Sequence, residues 1–368
     1  MYTSLISFLI VIFLNACGGS SPSSSSINPI EINASLDNNS SILNEPYFVQ
    51  QWYLYKNQAF YTRNRINTDA NIHTGDILES YKGRGIRVAI IDNGFDMNHT
   101  EYKLNIANSF DVLSKSTDVS HTKSNDIHGT AVTGIISADI NGEGIVGIAS
   151  DANIILLKYK EFMSDSETIE LFSKAQEFGA DIISNSWGTG NVSPAVKAKI
   201  VDLAKNGRNG KGIVIVFASG NDNADNSGDE SDIDEVISVG ATDRENLRAL
   251  YSNFGTRLDV VAPGGYNHGI TTTDPSGSDG IASLDTDYLL YNDAKAFIGT
   301  SAAAPIVSGV IALMLQYNPN LTRSEVEIIL HNTSDKIGNP PYDVNGRNNY
   351  YGYGKINLIK IFNTLKNN

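Results

Sequence analysis

The sequence predicts a doubly wound α/β domain, a mostly parallel sheet with helices on both faces. Apolar runs rich in Val and Ile recur at residues 87–91, 153–157, 181–183 and 213–217, and continuous rather than alternating apolar strands belong to parallel sheets covered on both sides. Helical patterns fill the intervals at 166–178 and 193–206, and alternation of strand and helix marks an α/β layer architecture. Neither a repeat nor a second linker interrupts residues 45–368, so a single domain is expected there.

Composition agrees. A chain of 368 residues with 41% hydrophobic content and 32 Gly can bury a large core and turn often. The net charge of −14 argues against a nucleic-acid partner, because phosphate binding rests on Lys and Arg. Residues 1–17 hold an apolar run at 5–14 that ends in Leu14-Asn15-Ala16-Cys17. That is signal-peptide length, and too short to span a bilayer comfortably. The string resembles a bacterial lipobox, which implies a lipid on Cys17 and export to the periplasmic face or cell surface. No Lys or Arg precedes the run, so a plain signal peptide or an uncleaved anchor is the alternative. Cys17 is the only cysteine, which excludes an intrachain disulfide. Residues 18–44 are rich in Ser and Asn without apolar period and read as a flexible tether.

Within residues 45–368, the places to look for chemistry are the carboxyl ends of the strands. Asp92 follows the 87–91 run, and Ser219-Gly220-Asn221 follows the 213–217 run. His128 opens the small-residue segment His128-Gly129-Thr130-Ala131. Ser301 stands in Gly299-Thr300-Ser301-Ala302-Ala303-Ala304-Pro305, at the entry to an apolar helical stretch. A serine there is commonly a helix cap, but the positive end of a helix also favours developing negative charge. Pro305 fits a first helical turn, where its missing N–H costs nothing.

Together these segments resemble the signature blocks of the subtilisin (subtilase) family, in the order Asp, His, Ser. The resemblance runs from about Trp52 to the end of the chain and includes Ser186-Trp187-Gly188 and Leu258-Asp259-Val260-Val261-Ala262-Pro263-Gly264. It implies a serine endopeptidase in which Ser301 is the nucleophile, His128 its general base and Asp92 the residue that orients that base. It further implies that Asn221 and the Ser301 backbone N–H form the oxyanion hole. Ala131 replaces the second His of the family's His-Gly-Thr-His string, a position outside the triad. The family's large folded propeptide has no counterpart in residues 18–45. An esterase would carry Gly-x-Ser-x-Gly, which residues 299–303 do not. A catalytically inactive binding protein on this fold would lack a triad or oxyanion residue, and none is missing.

The resemblance also assigns the substrate. Backbone at Ser186, Trp187 and Gly188 would pair with an extended peptide, and Ala218, Ser219 and Gly220 would wall the primary pocket. The chain is expected to act as a monomer on polypeptides. Asp222, Asp225, Asp229, Glu230, Asp232, Asp234 and Glu235 make the next loop acidic. With Gln51-Trp52-Tyr53-Leu54 this is similar to kexin-like members, which implies cleavage after Lys or Arg; a solvated acidic loop is the competing reading. No cofactor is needed for the chemistry. A structural Ca²⁺ is implied at Glu101, where the family has Asp, with Asn141 and carbonyls of loop 139–144.

Overall fold

The structure, a computed structural model, describes residues 40–122, 126–284 and 286–367. Cys17 and most of the expected tether therefore lie outside the described residues. Two short helices, α1 (Gln58–Asn64) and α2 (Ile77–Ser80), lead to a seven-stranded sheet. Its strands are β1 (Arg87–Asp92), β2 (Ile106–Asp111), β3 (Asn153–Lys158), β4 (Ile182–Asn185), β5 (Val214–Ala218), β6 (Ile237–Thr242) and β7 (Val260–Pro263). They are ordered β2-β3-β1-β4-β5-β6-β7, and every pairing is parallel. This is the expected doubly wound fold.

Alternate residues of each strand serve opposite faces. Val88, Ile90, Ile154 and Leu156 join the core that covers α3 (His128–Ser137) and α6 (Thr300–Tyr317). Ala89, Ile91, Ile155 and Leu157 join the core beneath α4 (Asp165–Glu177) and α5 (Pro194–Gly210). All eight are 0% exposed, and fully burying a Val, Ile or Leu side chain is worth about 1.5–3 kcal/mol. A two-stranded antiparallel sheet, β8 (Thr272–Thr273) with β9 (Tyr288–Leu289), and the helices α7 (Arg323–Thr333) and α8 (Leu358–Asn367) complete the fold.

The expected boundaries shift where local chemistry overrides pattern. Asp92 is the last residue of β1 rather than the first beyond it, because it stays in register opposite Lys158 of β3. Helix α4 starts at Asp165, fixed by a capping box in which Ser164 and Glu167 satisfy each other's backbone N–H. In α5 the helical dihedrals break at Gly207, Arg208 and Asn209, so the regular part ends at 206 as expected. The tether boundary at 44 falls inside packed structure, since Ser41–Asn44 forms a 3-10 turn and Ile42 is buried. Beyond it, Gln51, Trp52 and Tyr53 are fully buried and bonded to distant backbone. Gln51 Nε2 donates to Val146 O at 2.8 Å, Trp52 Nε1 to Gly269 O at 2.9 Å and the Tyr53 hydroxyl to Thr271 O at 3.1 Å.

Candidate active site

Three elements converge at the carboxyl end of the sheet. Asp92 closes β1 and is 0% exposed. Both its oxygens face His128 Nδ1, at 2.9 and 3.0 Å, while Asn93 N donates to Oδ1 at 2.8 Å. A carboxylate accepts and does not donate, so the ring proton sits on Nδ1 and Nε2 is left as the basic nitrogen. His128 is the first residue of α3. The next position must be glycine: a Cβ on Gly129 would lie 2.4 Å from Gly94 O. The imidazole is further fixed by Phe297, edge-on at 5.4 Å. Behind it, the hydroxyls of Thr272 and Thr273 donate to the carbonyls of Ala131 and Thr130 at 2.6 and 2.7 Å, pinning β8 to α3.

Ser301 is not the helix cap that its position suggested. The cap is Gly299, at φ +131° where a side chain would be strained, and Ser301 is the second residue of α6. Its backbone N–H thus belongs to the first turn, where helical N–H groups have no intrahelical acceptor. Ser301 Oγ donates to Ser186 O at 3.1 Å and Ser186 Oγ donates to Ser301 O at 3.0 Å. This reciprocal pair locks the 186–188 segment to the serine.

Asn221 is oriented by a residue that sequence reasoning missed. Thr300 donates to Asn221 Oδ1 twice, from its N at 2.9 Å and its Oγ1 at 3.0 Å. With the oxygen so occupied, the Nδ2 hydrogens remain to be offered elsewhere. The turn that carries Asn221 is built around Asn253, which was also missed. Its Oδ1 accepts from Asp222 N and Ala224 N at 2.8 and 3.0 Å.

A sequence profile of the subtilase family matches residues 83–354. The chain belongs to the subtilase family. It is 35% identical over 344 residues to a calcium-dependent protease of Trichormus variabilis, an alignment covering 85% of this chain and 51% of that relative. This subtilase therefore spans about half the length of that relative. It is 32% identical over 287 residues to subtilisin DY of Bacillus licheniformis, covering 76% of this chain and 92% of the relative. Among solved structures, the serine protease of Aeromonas sobria in complex with its chaperone has a similar fold. The TM-score is 0.77 at 20% identity, covering 88% of this chain and 67% of that one.

The segments of this subtilase expected to meet a substrate are held from behind. The Trp187 side chain is core, 4% exposed among Tyr159, Phe172 and Phe217, so of this residue only backbone is available to a peptide. Asp229 and Glu230, expected in an acidic loop, are instead built under that segment. Asp229 Oδ2 accepts from Gly190 N at 2.7 Å, and Glu230 accepts from Thr189 N at 3.0 Å and Thr189 Oγ1 at 2.8 Å. Burial, followed by the charge of Asp229, pushes Glu230 up to about 7. Other carboxylates of the loop have partners at the surface: Asp232 accepts from Gly228 N, Asp234 pairs with Arg257 and Glu235 with Lys205.

Glu101 has an unforeseen neighbour in Glu45. Both are buried, 0% and 3% exposed, and both meet the loop after α3. Glu45 accepts from Gly142 N and Gly144 N at 2.6 and 3.2 Å. Glu101 accepts from the Tyr288 hydroxyl at 2.6 Å and Ile145 N at 3.3 Å, with Asn141 Nδ2 at 3.5 Å. Burial pushes Glu101 up to about 7, and the charges of Glu45 and Asp139 add to the rise. Two buried carboxylates suit a hard cation, which prefers oxygen. Asn141 is turned with its oxygen toward Glu143 N, at 2.8 Å; a half-turn of the amide would bring that oxygen toward Glu101.

Proposed function

We propose that this subtilase is a serine endopeptidase that cleaves extended polypeptides through an acyl-enzyme on Ser301. The observation that carries this reading is the contact of His128 Nδ1 with both oxygens of buried Asp92, which fixes the ring and makes Nε2 the nitrogen that can act as a base. Ser301 Oγ attacks the scissile carbonyl carbon while its proton passes to His128 Nε2. The resulting oxyanion is met by the Ser301 N–H and the Asn221 amide, donors fixed before charge develops. His128 returns the proton to the leaving amine, and water then hydrolyses the acyl-enzyme by the same proton route. The peptide pairs in extended form with the backbone of Ser186, Trp187 and Gly188, opposite the wall formed by Ala218, Ser219 and Gly220. Incubation with a fluorophosphonate probe tests the chemistry. The wild-type chain is expected to label and Ser301→Ala not to; a folded wild-type chain that stays unlabelled refutes the proposal.

The same reading places the enzyme outside the cytoplasm, tethered through a lipid on Cys17. Fractionation of cells expressing Cys17→Ser should move the protein out of the membrane fraction, and unchanged partitioning counts against the anchor. Calcium, in the name of the Trichormus relative, would be held here by Glu45 and Glu101 with Asn141, cross-linking the post-α3 loop to the N-terminal segment and contributing stability rather than chemistry. EGTA should lower the melting temperature of the wild type and leave that of Glu101→Gln unchanged; a wild type indifferent to EGTA argues against a tight site.

A further inference from the structure

A second cluster of metal-ligating side chains lies at the amino end of the sheet, away from the triad. Asp259 immediately precedes β7, and Glu327 and His331 stand four residues apart on one face of α7. Each offers a ligand atom within 4.8 Å of those of the other two. All three line a cavity of about 200 Å³. Their remaining atoms are anchored. Asp259 Oδ2 accepts from Ser238 N at 2.8 Å, Glu327 Oε2 accepts from Arg323 at 3.0 Å, and the His331 ring stacks on Tyr353 at 3.7 Å. His331 Nε2 already lies 2.9 Å from Asp259 Oδ1.

We propose that Asp259, Glu327 and His331 form a site for a borderline divalent metal ion, zinc foremost, which joins α7 to the sheet. One imidazole and two carboxylates select such an ion over Ca²⁺, which takes oxygen ligands alone. Three protein ligands beside a cavity leave a fourth tetrahedral position for water. The outer partners already named hold each ligand in orientation, as outer contacts do in built metal sites. Arg257 and Arg347 line the same cavity, but both are engaged. Arg257 pairs with Asp234 at 2.9 Å, and Arg347 donates to the carbonyls of Gly255 and Leu258. Their charge makes this a weaker site than a thiolate one. The bound ion replaces the hydrogen bond between His331 and Asp259, and because the triad lies at the other end of the strands, its effect falls on stability.

The test uses untagged full-length protein in a Ser301→Ala background, which removes self-cleavage, stripped with chelator and titrated with zinc chloride by calorimetry and thermal melting. The parent is expected to bind zinc and to melt higher with it. His331→Gln and Glu327→Gln should each weaken binding by at least ~10-fold, since loss of an outer partner alone costs 10–100-fold. Should His331→Gln not fold, His331→Ala takes its place. Absence of zinc binding by the parent overturns the proposal, as does unchanged affinity in either variant, the latter placing any zinc on another histidine.

Discussion

Asp92→Asn alters a single group at the floor of the site, and its consequence can be worked through atom by atom. Asn93 N donates to Oδ1 at 2.8 Å, so the introduced amide keeps its oxygen there and turns its NH₂ to where Oδ2 now lies, 3.0 Å from His128 Nδ1. The retained oxygen still lies 2.9 Å from Nδ1, but an N–H now faces the ring's N–H beside it, an opposition that is relieved when the ring moves its proton to Nε2. In that tautomer the histidine cannot accept from Ser301. The expected loss is about 10⁴ in turnover, which at 1.36 kcal/mol per tenfold is about 5.4 kcal/mol of transition-state stabilisation. The substitution is isosteric and a neutral amide is easier to bury than a carboxylate, so folding should be nearly intact. Turnover of a chromogenic peptide gives the first quantity, and circular dichroism melting gives the second. A folded variant within about tenfold of wild-type activity would mean that the Asp92 contact does not set the tautomer.

Asn221→Ala should lower kcat by about 10²–10³ with little change in KM, the loss seen when such a donor is removed from a subtilisin, a member of this family; an equal fall in affinity alone would place Asn221 in ground-state binding. Glu230 is raised from 4.5 to about 7, so the native state holds this proton more tightly than the unfolded chain does. The stability it contributes is complete below pH 4.5 and is lost as pH rises toward 7. Melting curves of Glu230→Gln should therefore depend less on pH between 5 and 7 than those of the wild type, and parallel curves would contradict this. Gly309→Ala would set a Cβ 2.7 Å from the Cβ of Ile148, where α6 crosses close by. Overpacking of this kind costs about 1–3 kcal/mol, readable as a lowered midpoint in urea; an unchanged midpoint would mean that the helix shifts freely.

Strands β1, β3, β4 and β5 were legible because both their faces are buried, which leaves an uninterrupted apolar run. Strand β2 was not, because it is an edge strand whose first half is partly exposed, so Asn108 and Ser109 break the run. Strand β6 hides for the opposite reason: Ser238, Gly240 and Thr242 are small or polar yet fully buried, and Gly240 packs against Val261 and Ser252. The members of the proposed triad could be singled out because each sits in its own short string. Thr300, Asn253 and the Asp229-Glu230 pair were not, because their meaning comes from partners brought near by folding. Glu45 is the extreme case, lying 97 residues from the Gly142 N–H that it accepts from. An acidic loop likewise gives no sign in sequence of which carboxylates point inward.

Of the residues of helix α6, 89% are buried, and the proposed nucleophile Ser301 stands on its first turn. Ser301 is therefore mounted on the molecule's central beam, with no hinge of its own between it and the core. Such a site has no cheap way to open locally, and its disassembly must coincide with global unfolding. The fraction of chains that accept an active-site label at a given temperature should then equal the folded fraction, making the probe a thermometer for the whole domain. For an enzyme able to cleave its own unfolded copies, the same coupling silences each chain at the moment it becomes a substrate.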